Sequence, residues 1–80
     1  MDDKRKALVM RLKRIEGQVK GLQTLISNSD DCEKVAQQLA ATRKALDKCF
    51  FATIASMMEQ ELEGDSVKIE RYTQLLAKYG

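Results

Sequence analysis

The stretch DCEKVAQQLAATRKALDKCFFATIASMMEQELE, residues 31–63, contains neither proline nor glycine, and its apolar residues fall on one helical stripe. Val35, Leu39, Thr42, Leu46, Cys49, Thr53 and Met57 follow one another in steps of four and three, with Phe50, Ile54 and Met58 widening the band. That spacing predicts one uninterrupted helix with a coiled-coil-like seam. About 32 residues at 1.5 Å each span ~48 Å, whereas a compact chain of this length has a radius of gyration near ~12 Å and a diameter of roughly 30 Å. A rod longer than its own globule cannot be sheltered by one chain. Ala41, Ala52 and Ala55 on its back face suit close approach by further helices. The expected fold is therefore all-α, an antiparallel helical bundle made by at least two copies, with this helix near its centre.

The flanking segments extend the same reading. Upstream, Ser27-Asn28-Ser29-Asp30-Asp31 is a turn and cap cluster in which Asp30 or Asp31 is the expected N-cap. From Asp3 to Ser27, Leu8, Leu12, Ile15, Val19, Leu22 and Ile26 again alternate steps of four and three, so a first long helix precedes the turn. Gly17 and Gly21 lie four apart within it, each costing roughly 1 kcal/mol against alanine, and small residues at that spacing suggest the approach of another helix. Downstream, Gly64 is the first residue able to stop the long helix. Asp65-Ser66 then caps a short third helix with Ile69, Tyr72, Leu76 and Tyr79 on one face. No repeat or linker divides the chain, and residues 1–80 read as a single domain.

Eighty residues build a small core that needs reinforcement. Two cysteines, Cys32 and Cys49, without an apolar leader or a membrane-length run, read as reduced thiols in a cytosolic protein rather than a disulfide framework. Histidine is absent and no Cys-x-x-Cys pair occurs, so a metal staple is poorly supported. Association between copies is the remaining route. Net charge is only +2, but residues 1–48 carry +4 and residues 49–80 carry −2. The asymmetry points to an anionic partner for the N-terminal half. Without histidine, acid–base catalysis would fall on carboxylates or lysine, and no catalytic constellation is visible. The chain reads as a non-enzyme. A small helical enzyme of the chorismate-mutase kind and a ligand-free oligomerisation module are the alternatives of other classes.

The segments RLKRIEGQVKGLQ (residues 11–23), DC (31–32) and VAQQLAATRKALDK (35–48) together resemble the CsoR/RcnR family of small all-helical bacterial repressors. The likeness covers the first helix and most of the second. It implies three helices, two long and one short, forming an antiparallel four-helix-bundle dimer that assembles to a homotetramer. It also implies binding to double-stranded operator DNA without a helix-turn-helix, and release when a small inducer engages a site between two subunits. Inducers across the family include copper(I), nickel or cobalt, formaldehyde and reactive sulfur species.

Carried over by position, the resemblance makes Cys32 the inducer-sensing cysteine and places Met57 and Glu61 where further inducer-site residues stand, usually His followed by Cys or His. Here the chain departs from its family. Nickel or cobalt sensing would need several imidazoles, and none exists. A Cys32–Met57 pair from two subunits could hold copper(I) through thiolate and thioether, with Cys32 as the metal ligand, although Met57 on the apolar stripe reads more readily as core; no cofactor is otherwise required. A two-thiol crosslink is excluded in its usual form, since Glu61 replaces the second cysteine. Cys49 cannot substitute on the same helix, lying about 25 Å away, beyond the ~7 Å limit for a disulfide, so it reads as core. Formaldehyde-type members carry a proline after Met1, where this chain has Asp2. The expected inducer is therefore a thiol-reactive species, reactive sulfur or an electrophile, with an atypical copper(I) site as the alternative. At Cys32 the helix dipole favours negative charge, while Asp30, Asp31 and Glu33 oppose it.

For DNA the candidates are Arg11, Lys13, Arg14 and Gln18 in the first helix and Lys44 and Lys48 in the second. The family places DNA-contacting basic residues at Arg11 and Lys48. Repeated over four chains they would form a broad basic surface for phosphates. No recognition helix and no aromatic stacking platform is visible in the sequence, so sequence preference would rest on DNA shape. No membrane partner is expected.

Overall fold

The computed structural model describes residues 3–61 and 66–80, with side-chain surroundings for 3–60 and 69–80. Three helices follow one another: α1 (Asp3–Asn28), α2 (Cys32–Glu61) and α3 (Ser66–Tyr79). No strand occurs among the described residues, and the all-α expectation holds. The expected run of α2 to Glu63, its stop at Gly64 and the cap at Asp65 lie outside the described residues.

The turn between α1 and α2 shows why the chain reverses where it does. The Ser29 amide donates to the Leu25 carbonyl at 2.9 Å, closing α1, and the Asp31 amide donates to Ser29 Oγ at 3.1 Å. Asp31 Oδ1 then accepts from the Lys34 amide at 3.1 Å, while its carbonyl accepts from the Val35 amide at 3.1 Å. Of the two candidate caps, Asp31 is the one used, and its side chain satisfies an amide that helix geometry would otherwise leave without a partner. Cys32 is consequently the first residue of α2.

Beyond the turn, α1 and α2 run antiparallel. Lys4 pairs with Glu59, and Arg5 Nη2 donates to Gln60 Oε1 at 3.3 Å, so the start of α1 meets the end of α2. These are exposed contacts, worth at most about 1 kcal/mol each, and apolar packing must hold the hairpin. That packing is thin. Among the described residues only Ile15, Leu22, Cys49 and Tyr72 are buried, and no large side chain is fully enclosed.

Shape explains the thinness. The chain measures 52 × 28 × 12 Å with a radius of gyration of 16.5 Å, well above the ~12 Å of a compact chain of this length. Its smallest dimension is that of a single helix. The three helices lie in one layer, with α2 in the middle, touching α1 on one side and α3 on the other.

The apolar stripes, read from sequence as continuous seams, divide in two. In α1, Ile15 and Leu22 are buried, with Leu8 half-buried one heptad earlier, whereas Leu12, Val19 and Ile26 are exposed. In α2, Cys49 is buried, and Thr42 and Val35 are half-buried one and two heptads before it, whereas Leu39 and Leu46 are exposed. Along α1, and along α2 as far as Cys49, alternate members of each seam thus face the other helix of the hairpin and the rest face outward, whereas Thr53 and Met57 are both half-buried. Two helices can cover only half of a seam built for a bundle. In α3 the same division leaves Tyr72 buried, Leu76 half-buried, and Ile69 and Tyr79 exposed. Gly17 and Gly21 have nothing within 4 Å of an added Cβ, so within the described chain a methyl group at either would meet open space.

Candidate functional site

Helical periodicity sorts the polar residues of the hairpin onto one flank. Arg11, Arg14 and Gln18 stand at intervals of three and four along α1, and Lys44 and Lys48 one turn apart along α2. Because the helices are antiparallel, these two rows face each other across the hairpin groove. Arg11, Arg14, Ile15, Gln18, Ala45 and Lys48 line a cleft of about 270 Å³. Arg11 and Lys48 also line the adjoining cleft, about 570 Å³, with Lys44, Asp47 and Phe51. Five of the six residues expected to contact DNA therefore share one continuous surface. Its four cations face one carboxylate, Asp47, giving a local formal charge of +3.

Lys13 is not among them. It is exposed and lies outside both clefts, on a different face of α1. Further along α1, Lys20 pairs with Glu16 at 3.7 Å.

Phe51 is the residue that sequence reasoning missed. Its ring is 53% exposed, although it shares a cleft with three cations. The half-buried Phe50 ring meets it edge to face, with centroids 5.1 Å apart and planes at 82°. Such a contact contributes about 0.5–1.5 kcal/mol and braces the exposed ring. The signal was available, because Phe51 continues the Lys44–Lys48 row at the next helical interval.

The residues expected to sense an inducer are distributed differently. Cys32 is an exposed thiol at the start of α2, directly after the Asp31 cap. Met57 is half-buried near the other end of the same helix, in a largely apolar cleft of about 380 Å³ shared with Leu8, Val9, Leu12 and Thr53. The two lie 25 residues apart on α2, about 38 Å along its axis. They cannot meet within one chain. Glu61 is the last residue of α2, and its side chain lies outside those described. Cys49 is 3% exposed, and Thr53 Oγ1 donates to its carbonyl at 2.7 Å. It belongs to the core, as expected.

With this geometry in hand, comparison with known proteins is decisive for the family. The model of the metal-sensitive transcriptional repressors matches residues 4–78, nearly the whole chain. The chain belongs to that family. Among curated proteins, this metal-sensitive repressor family member is 36% identical over 59 residues to the "uncharacterized protein in bioA 5'region" of Serratia marcescens. The match covers 74% of this chain but 56% of that relative. No solved structure matches the chain. Repressors of this family are not enzymes. No described helix is long and apolar enough to cross a membrane.

Membership in a metal-sensitive family raises the question whether these residues suit a metal. They do so poorly. No group of three or more His, Cys, Asp or Glu side chains converges among the described residues, and the whole chain lacks histidine. Even with Cys32 and Met57 supplied by two copies, the soft donors are one thiolate and one thioether, and the acidic residues beside Cys32 in the sequence add only hard carboxylates. The imidazole and second thiolate that would close a soft-metal site are missing.

Proposed function

We propose that the chain is a single-domain, homotetrameric transcriptional repressor of the cytoplasm. It binds duplex operator DNA through the cationic flank and is released when a thiol-reactive inducer modifies Cys32. The observation that carries the DNA reading is the convergence of Arg11, Arg14, Gln18, Lys44 and Lys48 on one flank of a hairpin. Four cations per chain, multiplied by symmetry, would neutralise several phosphates and release their counterions.

The inducer reading rests on the donor set. In a chain without histidine, whose other cysteine is buried, the exposed Cys32 thiol is the reactive group best placed to meet a small molecule. Antiparallel pairing of two α2 helices would bring Cys32 of one copy towards Met57 and Glu61 of the other. Reaction there would alter the packing between copies, and a tetramer that favours one packing with DNA and another without it couples the two events.

Gel-shifts with DNA from upstream of the chain's own gene test both parts. Wild-type protein should shift the duplex, and polysulfide or formaldehyde should abolish the shift. Cys32→Ala should bind equally well and no longer respond. Normal induction of Cys32→Ala would overturn the sensing role. Release by copper(I) alone, abolished in both Cys32→Ala and Met57→Leu, would replace thiol modification with the atypical metal site.

A further inference from the structure

Of the ten large apolar side chains exposed among the described residues, Phe51 is the one that shares a cleft with three cations. Lys44, Lys48 and Arg11 need only be solvated, but a half-exposed aromatic ring leaves apolar surface in water, and such surface rimmed by polar groups marks an interaction site. Two occupants are conceivable, another copy of this chain or an anionic partner. Charge separates them. A twofold contact between copies through this flank would set Lys44 and Lys48 against the same lysines of the second copy, a like-charge arrangement with one Asp47 per chain to offset it. The exposed leucine seam on the other flank offers self-association without that cost.

We propose that Phe51 is an apolar contact to duplex DNA, its ring lying against a deoxyribose of the strand whose phosphates are held by Arg11, Lys44 and Lys48. This rests on the DNA-binding reading given above and adds a residue of a different chemical kind to it. A nucleic-acid strand alternates anionic phosphate with a largely apolar sugar, and this cleft presents an aromatic ring one helical turn from Lys48 and two from Lys44. Asp47 reinforces the register. It repels phosphate from its own wall of the cleft, leaving the Arg11–Lys48 side for the anion and the Phe51 side for the sugar. The edge-to-face contact with Phe50 holds the ring in place before the strand arrives.

Phosphate and apolar contacts differ in salt dependence, which supplies the test. Wild type, Phe51→Ala, Phe51→Tyr and Lys48→Ala are titrated by fluorescence anisotropy against a labelled duplex from upstream of the gene, over a range of salt concentrations. Sedimentation velocity checks the assembly of each. Phe51→Ala should bind roughly tenfold more weakly at every salt concentration with an unchanged slope of log affinity against log salt, because no phosphate charge is uncovered. Phe51→Tyr, which keeps the ring, should match wild type, and Lys48→Ala should flatten the slope. Undiminished affinity in Phe51→Ala, a flattened slope in it, or a change in its assembly would overturn the inference while leaving the cationic contacts standing. A wild-type chain that binds no duplex would overturn the repressor reading and this inference together.

Discussion

The two flanks of the α1–α2 hairpin are built from the same heptads but read oppositely. On one, Arg11, Arg14, Lys44 and Lys48 surround two shallow clefts, with a braced aromatic ring at the edge. On the other, Leu12, Val19, Ile26, Leu39 and Leu46 are all exposed, and the cleft that Leu12 lines holds one cation, Arg5. Placed in water, the first flank is at ease and the second is not. Each half-exposed leucine or isoleucine leaves roughly 1 kcal/mol of burial unrealised. By chemistry alone the charged flank suits a polyanion, and the apolar one suits further copies of the chain. A sheet of helices 12 Å thick has no other means of covering that seam.

The comparison breaks most visibly if the apolar flank is charged. Leu46→Glu should cost assembly about 3 kcal/mol or more per copy, over a hundredfold in dissociation constant, and size-exclusion chromatography with light scattering should find smaller, less helical species. An unchanged mass would mean that the seam is not the contact between copies. A smaller effect is expected on the other flank. Lys48→Ala should leave mass and helicity intact, weaken duplex binding roughly tenfold, and reduce the salt slope by about 0.9 for each phosphate that the lysine no longer neutralises. Failure of this variant to assemble would erase the distinction between the flanks. Asp31→Ala removes the cap of α2 and should lower stability by about 1 kcal/mol, read as a lower denaturation midpoint, with no change in salt slope. Smallest is Gly17→Ala. The position is open within the chain and its helical phase differs from that of both the exposed and the buried seam, so alanine should stabilise α1 by up to about 1 kcal/mol. A loss of stability there would place a partner helix against Gly17.

Much of this was legible in the sequence because it follows from period and punctuation. The unbroken run after Asp31 gave the long α2, and the cluster from Ser27 to Asp31 gave the reversal. The row Arg11–Arg14–Gln18 could be read beside Lys44–Lys48 once the helices were taken as antiparallel. What the sequence did not disclose was which half of each seam faces inward. Leu12 and Ile15, or Leu46 and Cys49, are equivalent on a helical wheel until a neighbour chooses between them. Lys13 and Lys48 are likewise both plausible phosphate ligands by charge, and the groove between helices separates them. Phe51 escaped notice because a phenylalanine beside an apolar stripe is ordinarily core, and here it falls on the Lys44–Lys48 side of α2, away from the buried Cys49. The proposed sensing site was least accessible, since Cys32 and Met57 sit near opposite ends of one helix and can be joined only by a second chain.

The central claim is that this hairpin is half of a seam and exists only in the company of its copies. Sedimentation velocity of the full chain, under reducing conditions and across the micromolar range, tests it most directly. The account predicts a helical species with the mass of a tetramer, dissociating if at all to dimers, with no folded monomer at any concentration. A folded, helical monomer persisting throughout that range would contradict it.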